Sequence, residues 1–154
     1  MTYKFAHISD VHWRSLKRHD EYRTIFAEMF VKLQQESPDV IFVGGDIVHS
    51  KTQGISPEII ENLNWWFTSL SKIAPVHIIL GNHDGLILNE DRQDAISPII
   101  SAINDSNIYL YKKSGIYPTG LDNINWCVFS CFDQKNWNKI KPDPNAINIA
   151  CFHG

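Results

Sequence analysis

The alternation of short apolar runs with segments of helical spacing constrains the fold of this chain more than any other feature. Three mainly apolar runs predict β-strands, at residues 3–9, 39–43 and 76–80. Between them, apolar side chains recur at helical intervals, first after Asp20, a candidate N-cap, and then after Ser56 and Pro57. This order predicts right-handed βαβ units and therefore an α/β fold, with layered sheets flanked by helices.

Each predicted helix has one face that is expected to pack against the sheet. In the first helix, which Ser37 and Pro38 should end, this face comprises Tyr22, Ile25, Phe26, Met29, Phe30 and Leu33. In the second helix it comprises Ile59, Ile60, Leu63, Trp66, Phe67 and Leu70. These two faces should supply most of the core on one side of the sheet.

The second half of the chain is less regular. Ser97 and Pro98 open a short predicted helix that continues to about Ile103. Further strands are predicted at residues 108–111, 124–130 and 147–152, and residues 133–145, rich in polar side chains, are predicted to form a surface loop. No internal repeat or linker is recognisable, so the 154 residues are expected to form one domain or a piece of a larger one.

Composition excludes several classes of protein. A chain that is 44% hydrophobic and 20% charged is neither disordered nor fibrous. No apolar run approaches the roughly 18 residues that cross a bilayer, and the first ten residues lack a secretory signal, so we expect a cytoplasmic protein without membrane contact. The net charge of −3 argues against a broad basic surface for nucleic acid, so any phosphate site must be local or use metal charge.

The cysteines predict no metal or disulfide framework. The chain has an odd number of cysteines, and none of them form a Cys-x-x-Cys pair: Cys127, Cys131 and Cys151. Each lies among apolar residues, so all three are expected to be buried thiols.

Side chains that commonly bind metals follow each strongly predicted strand. They are Asp10 and His12; Asp46 and His49; Asn82, His83 and Asp84; and His153. Ligands of open α/β sheets bind outside the carboxyl ends of the strands, so these clusters are expected to meet at one edge. The Gly-Asn-His-Asp segment at residues 81–84 is the most specific of them, expected by chance in on the order of one chain in a few thousand.

These residue types suit a pair of divalent cations. Carboxylate oxygens, imidazole nitrogens and an amide oxygen form a mixed set that fits Mn²⁺, Fe or Zn²⁺. A carboxylate can bridge two ions, and Asp46 is the best candidate for that role. With Asp10 and Asp46 as the only charged ligands, two cations would leave a charge of about +2, which attracts phosphate and lowers the pKa of bound water towards about 7.

The order of these motifs resembles the calcineurin-like metallophosphoesterase superfamily. Within it, the match is closest to the Mre11/SbcD-type DNA repair nucleases and their bacteriophage counterparts. Residues 44–49, Gly-Gly-Asp-Ile-Val-His, are similar to the "GGDLFH" motif of that branch, and residues 130–133 and the strand ending at His153 are also similar. The resemblance covers nearly the whole chain. It implies the metallophosphoesterase fold. It also implies a nuclease with exonuclease and endonuclease activity that acts in DNA recombination and repair.

The resemblance also implies a set of metal ligands. Asp10 and His12 would bind the first metal, Asp46 would bridge, and Asn82 and His153 would bind the second. The implied cofactors are two divalent metal ions, with Mn²⁺ the first choice.

Three further residues and several partners are implied in the same way. His83 would protonate the leaving oxygen, Asp84 would hold the His83 imidazole in the required tautomer, and His49 would help to place DNA at the metals. The implied partners are DNA, an SMC-like ATPase subunit of the Rad50/SbcC-like type, and a second copy of the chain in a homodimer.

The chain departs from the family pattern at one point. The pattern continues with a Gly-His-x-His motif that supplies one more imidazole to each metal, whereas this sequence stops at Gly154. The capping domain of the nuclease branch is likewise expected to lie outside residues 1–154. Residues 1–154 are therefore expected to be the N-terminal part of a metallophosphoesterase nuclease domain, incomplete at the C-terminus, with weakened metal affinity and activity.

Two other functions remain open at this stage. One is a phosphoesterase of the same superfamily that acts on nucleotides or phosphomonoesters, and the other is a non-catalytic fragment that binds a partner. A protein Ser/Thr phosphatase is disfavoured, because those enzymes have a Gly-Asp-x-x-Asp-Arg pattern where this chain has His49 and Ser50.

Two features near the first cluster have no assigned role in catalysis. Trp13 is expected to pack within its loop. The basic run at residues 14–19 is expected either to be solvated or to contact a phosphate backbone.

Overall fold

A four-stranded parallel sheet forms the centre of the fold. The structure is a computed structural model that describes residues 2–14, 17–49, 55–87 and 93–154. The central sheet contains, in spatial order, β1 (Phe5–Ile8), β2 (Val40–Val43), β3 (Val76–Ile79) and β4 (Ile108–Tyr111). Since all four strands are parallel, their carboxyl ends lie at the same edge.

Three helices cover one face of this sheet. They are α1 (His19–Glu36), α2 (Pro57–Ser71) and α3 (Ser97–Ile103), and each lies in a crossover between consecutive parallel strands. Right-handed crossovers between strands in sequential order place all the helices on the same side. The helices bury Phe30, Trp66 and Ile99 in one cluster with Ile41 and Ile78 of the sheet.

A second, three-stranded sheet packs on the opposite face. It is built from β5 (Gly115–Pro118), β6 (Ile124–Phe129) and β7 (Ile147–Phe152), with β5 antiparallel and β7 parallel to the central β6. Trp126 lies against Phe42 with ring centroids 4.9 Å apart, and Tyr117 stacks on Tyr111 at 4.3 Å. The architecture is therefore a helical layer and two sheets, which confirms the predicted α/β class.

Most predicted elements are present, with differences at their ends. Helix α2 begins as predicted, with Ser56 accepting a hydrogen bond from the Ile59 N–H at 3.3 Å. Helix α1 begins at His19, and its N-cap is Arg18 in a left-handed conformation, so the choice of Asp20 as the cap is wrong. Strand β5 and the 3₁₀ helix Gln134–Lys139 were not predicted. A four-residue strand bounded by Gly and Pro has almost no periodic signal.

The packing faces of the helices are narrower than predicted. Ile25 is 60% exposed and Ile60 is 46% exposed, so both lie outside the buried stripe. Phe26 and Leu63 are buried as expected.

All three cysteines are free and buried, which confirms the prediction that they are buried thiols. Among the described residues, no helix is long and apolar enough to span a membrane.

The interface between the two sheets buries a histidine. His77 on β3 is only 2% exposed, and its Nδ1 lies 2.7 Å from the Tyr111 hydroxyl. The imidazole also stacks on Tyr109, with centroids 4.7 Å apart, and its Nε2 has no hydrogen-bond partner in the described part of the chain. Burial lowers the pKa of His77 to about 4, because a charged imidazole here would lose its hydration.

This burial predicts a loss of stability in acid. The folded-state pKa of His77 lies below the unfolded value of about 6.5, so the unfolded chain takes up the proton first. The contribution of neutral His77 to the free energy of unfolding is complete above about pH 6.5. It falls by roughly 3 kcal/mol as the pH decreases to about 4. We expect urea unfolding in EDTA to show this loss in the unaltered protein and a smaller loss in His77→Gln, which cannot titrate. Equal losses in the two proteins would contradict the prediction.

Candidate metal centre

The loops after β1 and β2 are held together by backbone hydrogen bonds. The Asp10 N–H donates to the Gly45 carbonyl at 3.1 Å, and the His12 N–H donates to the Asp46 carbonyl at 3.0 Å. Trp13 continues this pattern as an isolated parallel bridge to Val48. The parallel pairing of the strands therefore extends into the loops and sets the positions of Asp10, His12 and Asp46 relative to one another.

These three side chains sit on an unusual backbone. Asp10, His12 and Asp46 have φ values of 56°, 51° and 50°, the left-handed region that non-glycine residues seldom occupy. Such conformations cost on the order of 1–3 kcal/mol each and persist only where surrounding contacts hold them. Their coincidence at three predicted ligands indicates that the local backbone is adapted to aim side chains at one point.

Glycine allows the loops after β2 and β3 to touch. Gly45 has a φ of 98°, and a Cβ built on it would lie 2.6 Å from the Gly81 nitrogen. A Cβ on Gly81 would in turn overlap the Asp46 side chain. Any larger residue at either position would separate Asp46 from the loop that carries Asn82 and His83.

Two groups of potential metal ligands share the Asp46 carboxylate. One consists of His12, Asp46 and His83, and the other of Asp10, Asp46 and His153. In each group the ligand atoms lie within 4.8 Å of one another. Asp46 is thus placed where a bridging carboxylate would be needed.

The charge balance around Asp46 fits bound cations. Asp46 is 4% exposed, and its Oδ2 is faced by the Nε2 atoms of His153, His12 and His83 at 3.3, 3.6 and 4.0 Å. Within the described ranges, no lysine or arginine forms an ion pair with this carboxylate. If these imidazoles are neutral, as metal ligands must be, the buried carboxylate is uncompensated, and divalent ions coordinated by these oxygen and nitrogen atoms would supply the missing charge.

Backbone carbonyls fix the tautomers of two imidazoles. His83 Nδ1 lies 2.6 Å from the His49 carbonyl, and His153 Nδ1 lies 2.7 Å from the Gly44 carbonyl. A carbonyl oxygen only accepts, so each Nδ1 carries the hydrogen. The Nε2 lone pair of the neutral ring is left facing Asp46, which is the orientation that a metal ligand or proton acceptor requires.

The structure brings the remaining predicted residues to the same place. Asn82 lines a cavity of about 510 Å³ together with Asp10, Asp46 and His153. The His49 ring lies 6.1 Å from the His83 ring and 5.6 Å from the His12 ring, centroid to centroid. Desolvation lowers the pKa of His49, and the nearby Arg14 and the His12 and His83 imidazoles lower it further. The ligand groups include Asp10 with His153 and His12 with His83, and the His12 Nε2 also lies 3.7 Å from the Asp10 Oδ1, so the predicted pairing of Asp10 with His12 stays a prediction.

Asp84 does not have the role that was predicted for it. Its Oδ1 accepts hydrogen bonds from the Ile47 and Val48 N–H groups at 2.8 and 3.0 Å, and its Oδ2 accepts one from the Gly81 N–H at 2.8 Å. The His83 imidazole is oriented by the His49 carbonyl instead. Asp84 is fully buried, and this burial raises its pKa to about 6 despite the three donors. It fastens the β2 and β3 loops together.

Sequence reasoning missed a contact that supports His12. The Tyr22 hydroxyl on α1 donates to the His12 carbonyl at 2.9 Å, and the Tyr22 ring stacks on Trp13 at 4.4 Å. Trp13 is 1% exposed, which confirms the prediction that it packs within the protein. Helical spacing placed Tyr22 on the packing face of α1 correctly, but no pattern in the sequence shows where its hydroxyl points.

Comparison with known proteins agrees with this fold. The sequence matches the calcineurin-like phosphoesterase family over residues 3–154, so the chain belongs to that family. Members of this family use divalent metal ions, in keeping with the two ligand groups around Asp46.

Individual proteins show the same relation. The chain is 41% identical over 162 residues to an uncharacterized protein of Acanthamoeba polyphaga mimivirus, a match covering 96% of this chain and 12% of that protein. It is 31% identical over 144 residues to the DNA double-strand break repair protein Mre11 of Nanoarchaeum equitans (strain Kin4-M), covering 84% of this chain and 38% of that one. The chain thus spans well under half the length of either relative.

A solved structure shares the fold. The crystal structure of Pseudomonas putida nuclease MPE superposes with a TM-score of 0.51 at 17% identity, covering 94% of this chain and 58% of that chain. At this identity the likeness shows a common fold.

Replacing Asp84 by asparagine is expected to destabilise the protein. The amide would point its NH₂ group at a backbone N–H donor, so we expect the free energy of unfolding in EDTA to fall by about 1–3 kcal/mol. Urea denaturation measures the change. Asp105→Asn is the control, since Asp105 is partly exposed and accepts one backbone N–H, from Asn107 at 2.9 Å. If Asp84→Asn is no less stable than this control, Asp84 does not fasten the loops.

Removing the Tyr22 hydroxyl is expected to weaken metal binding. Tyr22→Phe keeps the stacked ring but frees the His12 carbonyl, so we expect the Mn²⁺ affinity to fall by about 2- to 10-fold. Tyr117→Phe is a matched control, because the Tyr117 hydroxyl also donates to a backbone carbonyl, that of Lys113, at 2.9 Å but in the second sheet. Isothermal titration with Mn²⁺ compares the two, and equal affinities would refute the role of Tyr22.

Proposed function

We propose that this chain carries the catalytic centre of a dinuclear-metal phosphodiesterase that hydrolyses DNA. The single observation that supports it best is the shared position of Asp46 in two ligand groups at the carboxyl edge of the sheet. Two metals held side by side suit phosphoryl chemistry, because they can hold both the attacking and the leaving oxygen. The similarity to Mre11, a DNA double-strand break repair protein, favours DNA as the substrate.

In this proposal the metal ligands keep their predicted roles. Asp10 and His12 bind one ion, Asn82 and His153 bind the other, and Asp46 bridges them. Mn²⁺ is the expected metal, as the resemblance implies, whereas the mixed carboxylate and imidazole ligands also fit Fe or Zn²⁺. Bound there, the two ions would supply a water of lowered pKa and positive charge for the phosphate.

The residues around the metals handle the proton and the substrate. His83 carries a hydrogen on Nδ1, donated to the His49 carbonyl, so its Nε2 is the atom that can gain or release a proton. When protonated, Nε2–H donates to the sugar oxygen that leaves phosphorus. The His49 side chain, beside the His12 and His83 rings, contacts the DNA.

A second candidate is a phosphoesterase that acts on small substrates. The cavity of about 510 Å³ beside Asp10, Asp46 and His153 is large enough for a nucleotide. Both candidates use the same metals and the same His83 proton.

The partners follow from the nuclease proposal. We infer an SMC-like ATPase subunit and a homodimer only from the similarity to Mre11. The assignment of residues 1–154 as the N-terminal part of a nuclease domain, with further imidazoles supplied by a Gly-His-x-His segment, stays a prediction.

A full-length protein that includes the predicted Gly-His-x-His segment is expected to cleave linear DNA in Mn²⁺, and His83→Asn in it is expected to abolish that cleavage while Mn²⁺ binding is kept. The variant removes the proton at Nε2 and none of the proposed metal ligands. Labelled DNA on denaturing gels measures cleavage, and isothermal titration measures Mn²⁺ binding. His19→Asn is the control, since the His19 ring contacts the Arg14 carbonyl at 2.7 Å and belongs to neither ligand group.

The small diester bis-p-nitrophenyl phosphate separates the two candidates. If the protein hydrolyses this diester but leaves DNA uncleaved, the result favours the small-substrate enzyme and rejects the nuclease. Retained turnover by His83→Asn would remove His83 from the acid role. If Mn²⁺ leaves the melting temperature unchanged, the chain does not hold metal in its native state, and a partner-binding function remains.

A further inference from the structure

A groove lined by lysines lies beside the start of β5. We call it the lysine groove. It has a volume of about 340 Å³, and its walls include Ser114, Ile116, Asn136, Lys139, Ile140 and Lys141. None of these residues belongs to the metal centre, and no motif in the sequence predicts a site here.

The lysine groove lies in a basic segment of an acidic chain. Residues 112–141 contain five lysines and two aspartates, a net charge of +3, whereas the whole chain carries −3. One of these lysines, Lys112, forms an ion pair with Asp94 at 2.6 Å. Asp133 is buried, and its carboxylate accepts hydrogen bonds from the Ser114 N–H and the Asn136 side chain, at 2.9 and 2.5 Å. Lys139 and Lys141 are exposed and form no ion pair with any residue that the structure describes. Their charges are available to an anion.

The topology places this groove at the same end of the molecule as the metal centre. Ser114 follows the carboxyl end of β4, which is parallel to the strands that carry Asp10 and Asp46. The 3₁₀ helix Gln134–Lys139 follows the carboxyl end of β6, which is parallel to β7, the strand that leads to His153. Asp122, the other aspartate of the segment, precedes β6 and so lies at the opposite end.

A phosphodiester chain is the ligand that fits this arrangement. Two exposed ammonium groups bind phosphates, and the Ile116 and Ile140 side chains offer apolar surface to the sugars between them. A mononucleotide in the metal centre would have no group to place here, because the lysine groove lies at β5, whereas the metal centre lies among β1, β2, β3 and β7.

We propose that the lysine groove binds backbone phosphates of the DNA on one side of the bond that is cleaved. This proposal rests on the nuclease function proposed above and names a second contact region for the same substrate. The metal centre binds the reacting phosphate, and the lysine groove holds the strand that leads away from it along the same edge.

The double variant Lys139→Ala/Lys141→Ala tests the proposal. Binding of fluorescein-labelled linear DNA is measured by anisotropy in EDTA, where no cleavage occurs, at several salt concentrations. We expect the affinity to fall by about tenfold at low salt and the slope of log affinity against log salt to become shallower by about 1–2. The matched control is Lys32→Ala/Lys72→Ala, which removes the same charge near the carboxyl ends of α1 and α2, at the opposite edge of the sheet.

The outcomes separate this proposal from the function on which it rests. If both double variants weaken DNA binding equally, or if the groove variant leaves the salt slope unchanged, the lysine groove is not a phosphate site. If the unaltered protein does not bind DNA, the proposal that the lysine groove binds DNA is also wrong. DNA binding that depends on Lys139 and Lys141 in a protein that leaves DNA intact in Mn²⁺ would reject the nuclease function and retain the groove.

Discussion

The burial of one carboxylate among three imidazoles is the interaction on which the rest of this structure depends. Asp46 is almost inaccessible to solvent, and His12, His83 and His153 converge on its Oδ2. A charge in that position is costly unless cations share it. Two features of the backbone bring these side chains together. They are the left-handed conformations at Asp10, His12 and Asp46 and the close approach of Gly45 to Gly81.

The parallel sheet makes the convergence geometrically possible. Its strands deliver three loops to one edge, and the second sheet adds His153, whose Nδ1 bonds to a carbonyl 109 residues away in sequence. The loops are then locked by groups that do not touch the centre of the site: the Asp84 carboxylate between the β2 and β3 loops, and the Tyr22 hydroxyl on the His12 carbonyl. These hydrogen bonds attach the loops to one another and to the core beneath them, which suits a reaction that depends on positioning.

The sequence predicted the elements that have a strong local pattern and missed those that do not. Buried runs and helix start signals located β2, β3 and α2, because these features follow from side-chain burial and capping along a continuous segment. Strand β5 and the exposure of Ile25 depend on packing partners outside their own segments, which a local pattern does not show. The N-cap of α1 is Arg18 without a side-chain cap hydrogen bond, so no capping residue type marks it in the sequence. Asp84 lies next to His83 in sequence, which suggested a partnership, but its hydrogen bonds go to the backbone of the β2 and β3 loops, and the His83 Nδ1 lies against the His49 carbonyl.

What the sequence determined by itself is the α/β class, the order of the strands along the chain and the set of side chains delivered at their carboxyl ends. These depend on local periodicity and on residue type, which can be read without coordinates. The tertiary structure alone decided how those side chains are grouped, which atoms of the imidazoles face the carboxylate, and where the lysines of the second half gather. Hydrogen bonds and charges act through space, so distances between residues far apart in the chain, rather than their order along it, decide which groups interact.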